Sequence, residues 1–211
     1  MSPHREDYLK MIFELEKHCG YSSNKSISQG LGIAPASVTE MIRKLKDKDL
    51  VYSKGQKIYL TEEGNILAKQ LLSRHRLWET FLMEKLGYLP SEVHHVAEIL
   101  EHVTDETLIN RLNDFLGKPK YCPHGGVIYK NGGELPSKTK FLFEGEHGEK
   151  GRIVRIYDRG NVSKLAEFYV LELYDPIEII EKTEDRMILQ VKEEEKSIPK
   201  ELANHILIQI L

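Results

Sequence analysis

A chain of 211 residues, 40% hydrophobic and 30% charged, has the composition of a packed globular protein of two or three domains. No apolar run approaches the roughly 18–20 residues needed to cross a bilayer, and the early Arg5-Glu6-Asp7 leaves no apolar core for a secretory signal. The only cysteines, Cys19 and Cys122, argue against a disulfide framework, so a reducing, cytoplasmic setting is expected.

The net charge of -3 is unevenly spread. Residues 1–60 hold 10 Lys/Arg against 7 Asp/Glu, while the remainder holds 20 against 26. A basic module on an acidic body is compatible with a nucleic-acid partner, though weak evidence by itself.

In chain order, Tyr8, Met11, Ile12 and Leu15 have helical spacing over residues 4–18, closed by Gly20. Residues 26–31 predict a short second helix. Gly32-Ile33-Ala34 is a turn, and Pro35 can open a third helix without losing a hydrogen bond. That helix buries Val38, Met41, Ile42 and Leu45, and presents Ser37, Glu40, Arg43, Lys44 and Lys46 on its other face. Two β-prone runs around Lys54-Gly55-Gln56-Lys57 form a hairpin. Thr61 caps a long helix to Leu86, and two more helices follow at 91–103 and 105–116. Residues 120–140, rich in Gly and Pro, predict a linker or irregular segment, and a small β-rich region follows to the end. The apolar Trp78, Phe81, Leu82, Leu108, Ile109 and Leu112 are candidates for a dimer surface or for the core within the chain.

Helix, short helix, turn, amphipathic helix, hairpin is the order of a winged helix-turn-helix. The start of the third helix can reach base edges, and wing lysines can lie at phosphates. Candidate DNA-binding residues are Ala36, Ser37, Thr39, Glu40, Arg43 and Lys44, with Lys54 and Lys57 on the wing. A protein-interaction module with an ordinary solvated surface is the alternative.

Five of nine histidines fall between residues 75 and 124. His75 and Glu79 are one helical turn apart. At about 100° per residue, His94, Glu98, Glu101 and His102 share one arc of about 100°, opposite Val93, Val96, Ala97, Leu100 and Val103. Cys122-Pro123-His124-Gly125 adds a thiol and an imidazole. Imidazoles, carboxylates and a thiolate so grouped suit a divalent cation, although Glu and His on a helix face are more often simply solvated. His95 and His147 are expected at the surface, and Cys19 as a small core residue or free thiol.

The chain resembles the DtxR/MntR family of metal-dependent repressors. The matching stretches are Glu6-Asp7-Tyr8-Leu9, Pro35-Ala36-Ser37-Val38-Thr39-Glu40-Met41, Lys44-Leu45, Leu60-Thr61-Glu62-Glu63-Gly64, Ser73-Arg74-His75-Arg76-Leu77, Glu98-Ile99-Leu100-Glu101-His102 and Cys122-Pro123-His124-Gly125. Their order and spacing are specific together. The resemblance implies a mainly α protein with a small β domain: a winged helix-turn-helix (1–62), a helical dimerisation and metal-binding domain with linker (63–140) and a C-terminal SH3-like β-barrel (141–211). It implies a primary metal site from Asp7, Glu98, Glu101 and His102. An ancillary site would use His75, Glu79 and His94, joined by Cys122 and His124, with Asp158 as the candidate from the SH3-like domain.

Where iron-sensing members carry Met and Cys, this chain has Asp7 and Glu98. These hard carboxylates suit Mn²⁺, with Fe²⁺ as the alternative; Zn²⁺, Co²⁺ or Cd²⁺ are expected to substitute in vitro. Lys10 stands where two-domain manganese sensors have Glu, which argues against a binuclear cluster of their type. A homodimer on a palindromic DNA operator that controls metal-uptake genes is the implied assembly, with no membrane and no small-molecule substrate. Other readings are an iron-responsive repressor, a winged-helix regulator of a small organic effector, or a metal-buffering protein. An enzyme is disfavoured: there is no His-Glu-x-x-His, Gly-rich phosphate loop or Gly-x-Ser-x-Gly.

Overall fold

The computed structural model describes residues 5–157, 166 and 170–211; Asp158, expected as a ligand, lies outside them. The chain divides into two compact units, Met1–Ser73 and Arg74–Leu211.

The first unit begins with α1 (Arg5–Cys19), α2 (Asn24–Leu31) and α3 (Pro35–Lys46). Ser23 and Ser26 form a capping box at the start of α2, exchanging 3.1 and 2.9 Å hydrogen bonds with each other's amides. That cap starts α2 two residues earlier than apolar periodicity suggests. Gly32 closes it at φ +66, and Pro35 is the first residue of α3. Strands β1 (Val51–Lys54) and β2 (Lys57–Leu60) pair as an antiparallel hairpin, and Ser22 bridges Ile58 on its other edge. The core of this unit includes Leu9, Ile12, Ile27, Val38 and Leu45, all fully buried. Cys19 is an exposed free thiol rather than a core residue, because it falls on the last, solvent-facing turn of α1. Thr61 Oγ accepts the Gly64 amide and caps α4 (Glu62–Leu86), within which the boundary between the units falls.

In the second unit α4 continues and is followed by α5 (Pro90–Val103) and α6 (Glu106–Phe115), the latter capped by Asp105. Leu82, Val93 and Ala97 join α4 to α5; Leu77, Ile109, Leu112 and Ile128 join α4, α6 and the following loop. Five of the six residues weighed for a dimer surface (Leu82, Ile109 and Leu112, with the partly buried Trp78 and Phe81) thus pack inside one chain. The sixth, Leu108, is exposed, as are Leu86, Leu89, Ile99, Val103 and Phe115. Val103, expected on the packed face of α5, is 77% exposed because it ends the helix beyond the reach of α4.

Residues 120–138 contain a single 3₁₀ turn, Tyr129–Asn131, yet are tied in place by Tyr121 pairing with Val127 and by Asn113 and Asn131 exchanging side-chain bonds. Six strands follow: β3 (Thr139–Phe141), β4 (Lys150–Ile156), β5 (Pro176–Lys182), β6 (Arg186–Val191), β7 (Glu194–Pro199) and β8 (Ile206–Ile210). They form an antiparallel sheet in the order β3-β8-β4-β5-β6-β7. Among the described residues β3 and β7 are its edges, and alternate residues such as Ile177, Ile179, Met187, Leu189 and Val191 fill its core.

Candidate metal centre

His75 and Glu79 stand one turn apart on α4, so their side chains share a face. α5 packs beside that face and brings His94. The loop after α6 brings Cys122 and His124. These five residues form two overlapping triads, His75/Glu79/His94 and Glu79/Cys122/His124, and within each triad the potential ligand atoms lie within 4.8 Å of one another. Ligand bonds of ~2.0–2.3 Å can span such separations with small side-chain adjustments.

Glu79 is the shared member. Its Oε1 lies 3.1 Å from His75 Nε2, 3.5 Å from His94 Nδ1 and 3.7 Å from His124 Nδ1. Glu79, His75, Cys122 and His124 are buried, while His94 sits at the rim. The other nitrogen of His75, Nδ1, donates to Glu101 Oε2 at 2.6 Å. Burial opposes the charge of His75, but the carboxylates of Glu79 and Glu101 outweigh it and push the imidazole up to about 10. Burial likewise opposes charge on His124, yet Cys122 and Glu79 push it up to about 11. Burial would raise Glu79, but His75, His124 and His94 hold its carboxyl well below the usual range. An anion among imidazoles is thus built in.

The residues fit a divalent cation. Among the described residues, neither buried ring nitrogen of His124 has a hydrogen-bond partner, a costly arrangement that coordination would relieve. The donor set combines imidazole, carboxylate and thiol, and the Nδ1–H of His75 is already fixed by a carboxylate, the usual outer support of a ligating histidine.

Of the other expected ligands, Asp7 lies in the first turn of α1, with Lys10 Nζ 3.4 Å from its Oδ1. Glu98 is half-buried on α5 and stands outside both triads. Glu101 is completely buried, although its place on the wheel suggested a solvent-facing stripe. Its Oε1 lies 3.5 Å from His102 Nε2. Helix α4 covers this part of α5, which a wheel of α5 alone does not reveal.

The expected DNA-binding residues Ala36, Ser37, Thr39, Glu40, Arg43 and Lys44 are all exposed on α3, as are Lys54 and Lys57 on the wing. Glu40 is paired to Lys44 at 2.7 Å. Thr39 Oγ accepts from Asn24 Nδ2 at 2.8 Å and donates to Pro35 O, which braces α2 against α3. Between α2, α3 and the wing lies a cleft of about 800 Å³ lined by Thr39, Arg43, Lys57 and two cations absent from the expected set, Lys25 and Lys46. Lys46 was placed on the open face of the third helix without a DNA role, and only the basic count of residues 1–60 hinted at Lys25. Lys57 sits 4.3 Å from the centre of the Tyr21 ring.

Two family models match the chain. That of the iron dependent repressor N-terminal DNA binding domain covers residues 1–58, and that of the iron dependent repressor metal binding and dimerisation domain covers residues 61–130. Among curated relatives, the HTH-type transcriptional regulator MntR of Listeria monocytogenes is 39% identical over 114 residues, which span 54% of this chain and 80% of that protein. Among solved structures, the manganese regulator SloR is 33% identical with a TM-score of 0.86 over 100% of both chains. A manganese-dependent transcriptional repressor in complex with manganese is 28% identical with a TM-score of 0.89, over 99% of this chain and 100% of that one.

Proposed function

The chain belongs to the DtxR/MntR family of metal-dependent transcriptional repressors, and from that premise we propose that it responds to manganese and represses metal-uptake genes by binding a palindromic operator when loaded with metal. It is a transcriptional regulator and not an enzyme, with modules for DNA binding and for dimerisation. No described helix is long and apolar enough to cross a membrane, and a regulator of this kind would work in the cytoplasm.

The observation that carries the reading is Glu79, a buried carboxylate where three histidines converge. We assign His75, Glu79, His94, Cys122 and His124 to an ancillary centre, with Asp158 as a further donor. By motif match, Asp7, Glu98, Glu101 and His102 supply the primary site. The domains are taken as 1–62, 63–140 and 141–211, with Ala36, Ser37, Thr39, Glu40, Arg43, Lys44, Lys54 and Lys57 facing DNA. The carboxylates at Asp7 and Glu98 favour hard Mn²⁺; Fe²⁺ is the second reading, on the strength of the family models' own description.

A bound divalent cation supplies a multidentate positive cross-link. Asp7 lies in the DNA-binding domain, and Glu98, Glu101 and His102 lie on α5, so shared ligation would restrain one domain against the other. In a two-fold dimer this sets the separation of the two α3 helices, which must match half-sites about 34–36 Å apart or a multiple of that. Metal and DNA then favour the same state and each tightens the other's binding. A coupling of ~1–3 kcal/mol changes affinity by roughly 5–150-fold. The test is selection of duplexes from a random pool by Mn²⁺-loaded protein, followed by gel-shift titration with Mn²⁺ and then chelator. Binding should follow the metal; sequence-specific binding that ignores chelator would refute the proposal.

A further inference from the structure

The Lys120–Ile128 segment carries two of the five clustered donors without a regular element to hold it. Its own backbone bonds fix its shape: Cys122 N–H donates to Gly126 O and Gly125 N–H to Cys122 O, both at 2.9 Å. Ile128 packs with Leu77 of α4, and the Ile156 amide holds His124 O at 3.0 Å. Between these two anchors a long side chain from α4 adds a directional bond at Val127. Arg76 follows His75 directly and is 3% exposed, and its Nη1 donates to the carbonyl of Val127. Its guanidinium carbon lies 5.5 Å from the centre of the Tyr129 ring. A Cβ added at Gly126 would fall 2.8 Å from Arg76 Nε and 3.0 Å from Cys122 Sγ, so the guanidinium and the thiol both lie against the same glycine. A buried guanidinium is costly where mere packing is needed, and an aliphatic residue would fill the space. What arginine adds is a directional bond to the loop that carries Cys122 and His124.

We propose that Arg76 is a positioning residue that selects the donor set around Glu79. With Arg76 clamping the loop, Cys122 and His124 are presented to Glu79; without it a cation is left with His75, Glu79 and His94, a set without sulfur. The inference rests on the metal centre proposed at Glu79. Arg76 thereby tunes the preference for soft over hard ions, because thiolate favours Co²⁺, Zn²⁺ and Cd²⁺ more than Mn²⁺.

The probe is Co²⁺ titrated into the full chain, with absorption read in the near-ultraviolet, where thiolate-to-cobalt transfer appears, and in the visible d–d region. Cys122→Ser identifies the thiolate band. Arg76→Gln should lose that band while keeping d–d absorption, and its Cd²⁺ affinity should fall about 10–100-fold with Mn²⁺ affinity changed less. Gly126→Ala, which crowds both partners and keeps the guanidinium, should weaken the same band. Folding is checked by circular dichroism, and Gly126→Ala alone decides the matter if Arg76→Gln fails to fold. A band of full intensity in the folded variants overturns the inference, as does loss of all cobalt absorption, which would make Arg76 merely structural. If instead Glu79→Gln leaves the wild-type spectrum unchanged, the centre itself is misassigned, a different failure.

Discussion

Replacing Glu79 by Gln removes one charge and keeps the shape, so it isolates what the carboxylate does. Its Oε1 is 3.1 Å from His75 Nε2. At an effective dielectric of about 20, opposite unit charges at that distance attract by roughly 5 kcal/mol before desolvation is counted. This is large enough to explain why His75 is pushed up to about 10 in spite of its burial. The metal-free chain should therefore lose the value of a charge-assisted hydrogen bond, about 1.5–3 kcal/mol, when Glu79 becomes Gln. The pH dependence follows from the sign of the shift. A histidine raised from 6.5 to about 10 contributes stability that is complete below the unfolded value and is lost as pH climbs through 10. The wild-type excess over Glu79→Gln should thus be largest between pH 4.5 and 6.5, shrink toward pH 10 as His75 loses its proton, and shrink in acid as the depressed Glu79 carboxyl gains one. Cation binding competes with the same protons, so wild-type metal affinity should rise from pH 6.5 toward 10. With metal, Glu79→Gln should bind one ion fewer per chain, or bind it at least ~100-fold more weakly, which is about 2.7 kcal/mol. Urea melts across pH, with Mn²⁺ stoichiometry from electron paramagnetic resonance, read both effects. Unchanged stoichiometry and affinity, with unchanged metal-free stability at pH 6.5, would refute the reasoning.

Three other outcomes are expected. Gly125 holds φ +77, and a Cβ there would meet Val154 O at 2.1 Å, so Gly125→Ala should cost ~1–3 kcal/mol for overpacking plus ~1 kcal/mol for the left-handed backbone, seen in urea melts. Lys57→Ala, at the cleft between α3 and the wing, should weaken DNA binding across sequences and make the slope of log affinity against log salt shallower by about 0.9; an unchanged slope would remove Lys57 from the phosphate contacts. Phe115, 67% exposed at the end of α6, should carry part of the dimer surface, so Phe115→Asp should shift the chain toward monomer in analytical ultracentrifugation and leave the helical spectrum intact; a persistent dimer would place the interface elsewhere.

The helices of the first 116 residues were legible because their signals are local. Thr61 caps, Pro35 starts, and apolar spacing repeats at the helical period, whereas the caps at Ser23 and Asp105 set helix starts that the spacing alone does not mark. The pairing of His75 with Glu79 was equally local. The segment expected as linker was misjudged because Gly and Pro mark only the lack of a regular element. Its order comes from distant residues: Arg76 on Val127, and the Ile156 amide donating to His124 O across 32 positions of sequence. Glu101 was placed on an open stripe for a similar reason. A helical wheel shows which residues share a face but not what covers it, and here His75 does.

Composition and periodicity alone therefore established a winged helical reading head, a helical body and a β-rich end, and marked the residue types able to hold a cation. Helix periodicity and capping act over three or four residues, a range that one sequence expresses in full. The convergence of α4, α5 and the Cys122–Gly126 loop on a single buried carboxylate belonged to the tertiary structure. Contacts between residues 15 to 51 positions apart depend on how whole elements pack, and that packing decides which of several plausible donors face one another.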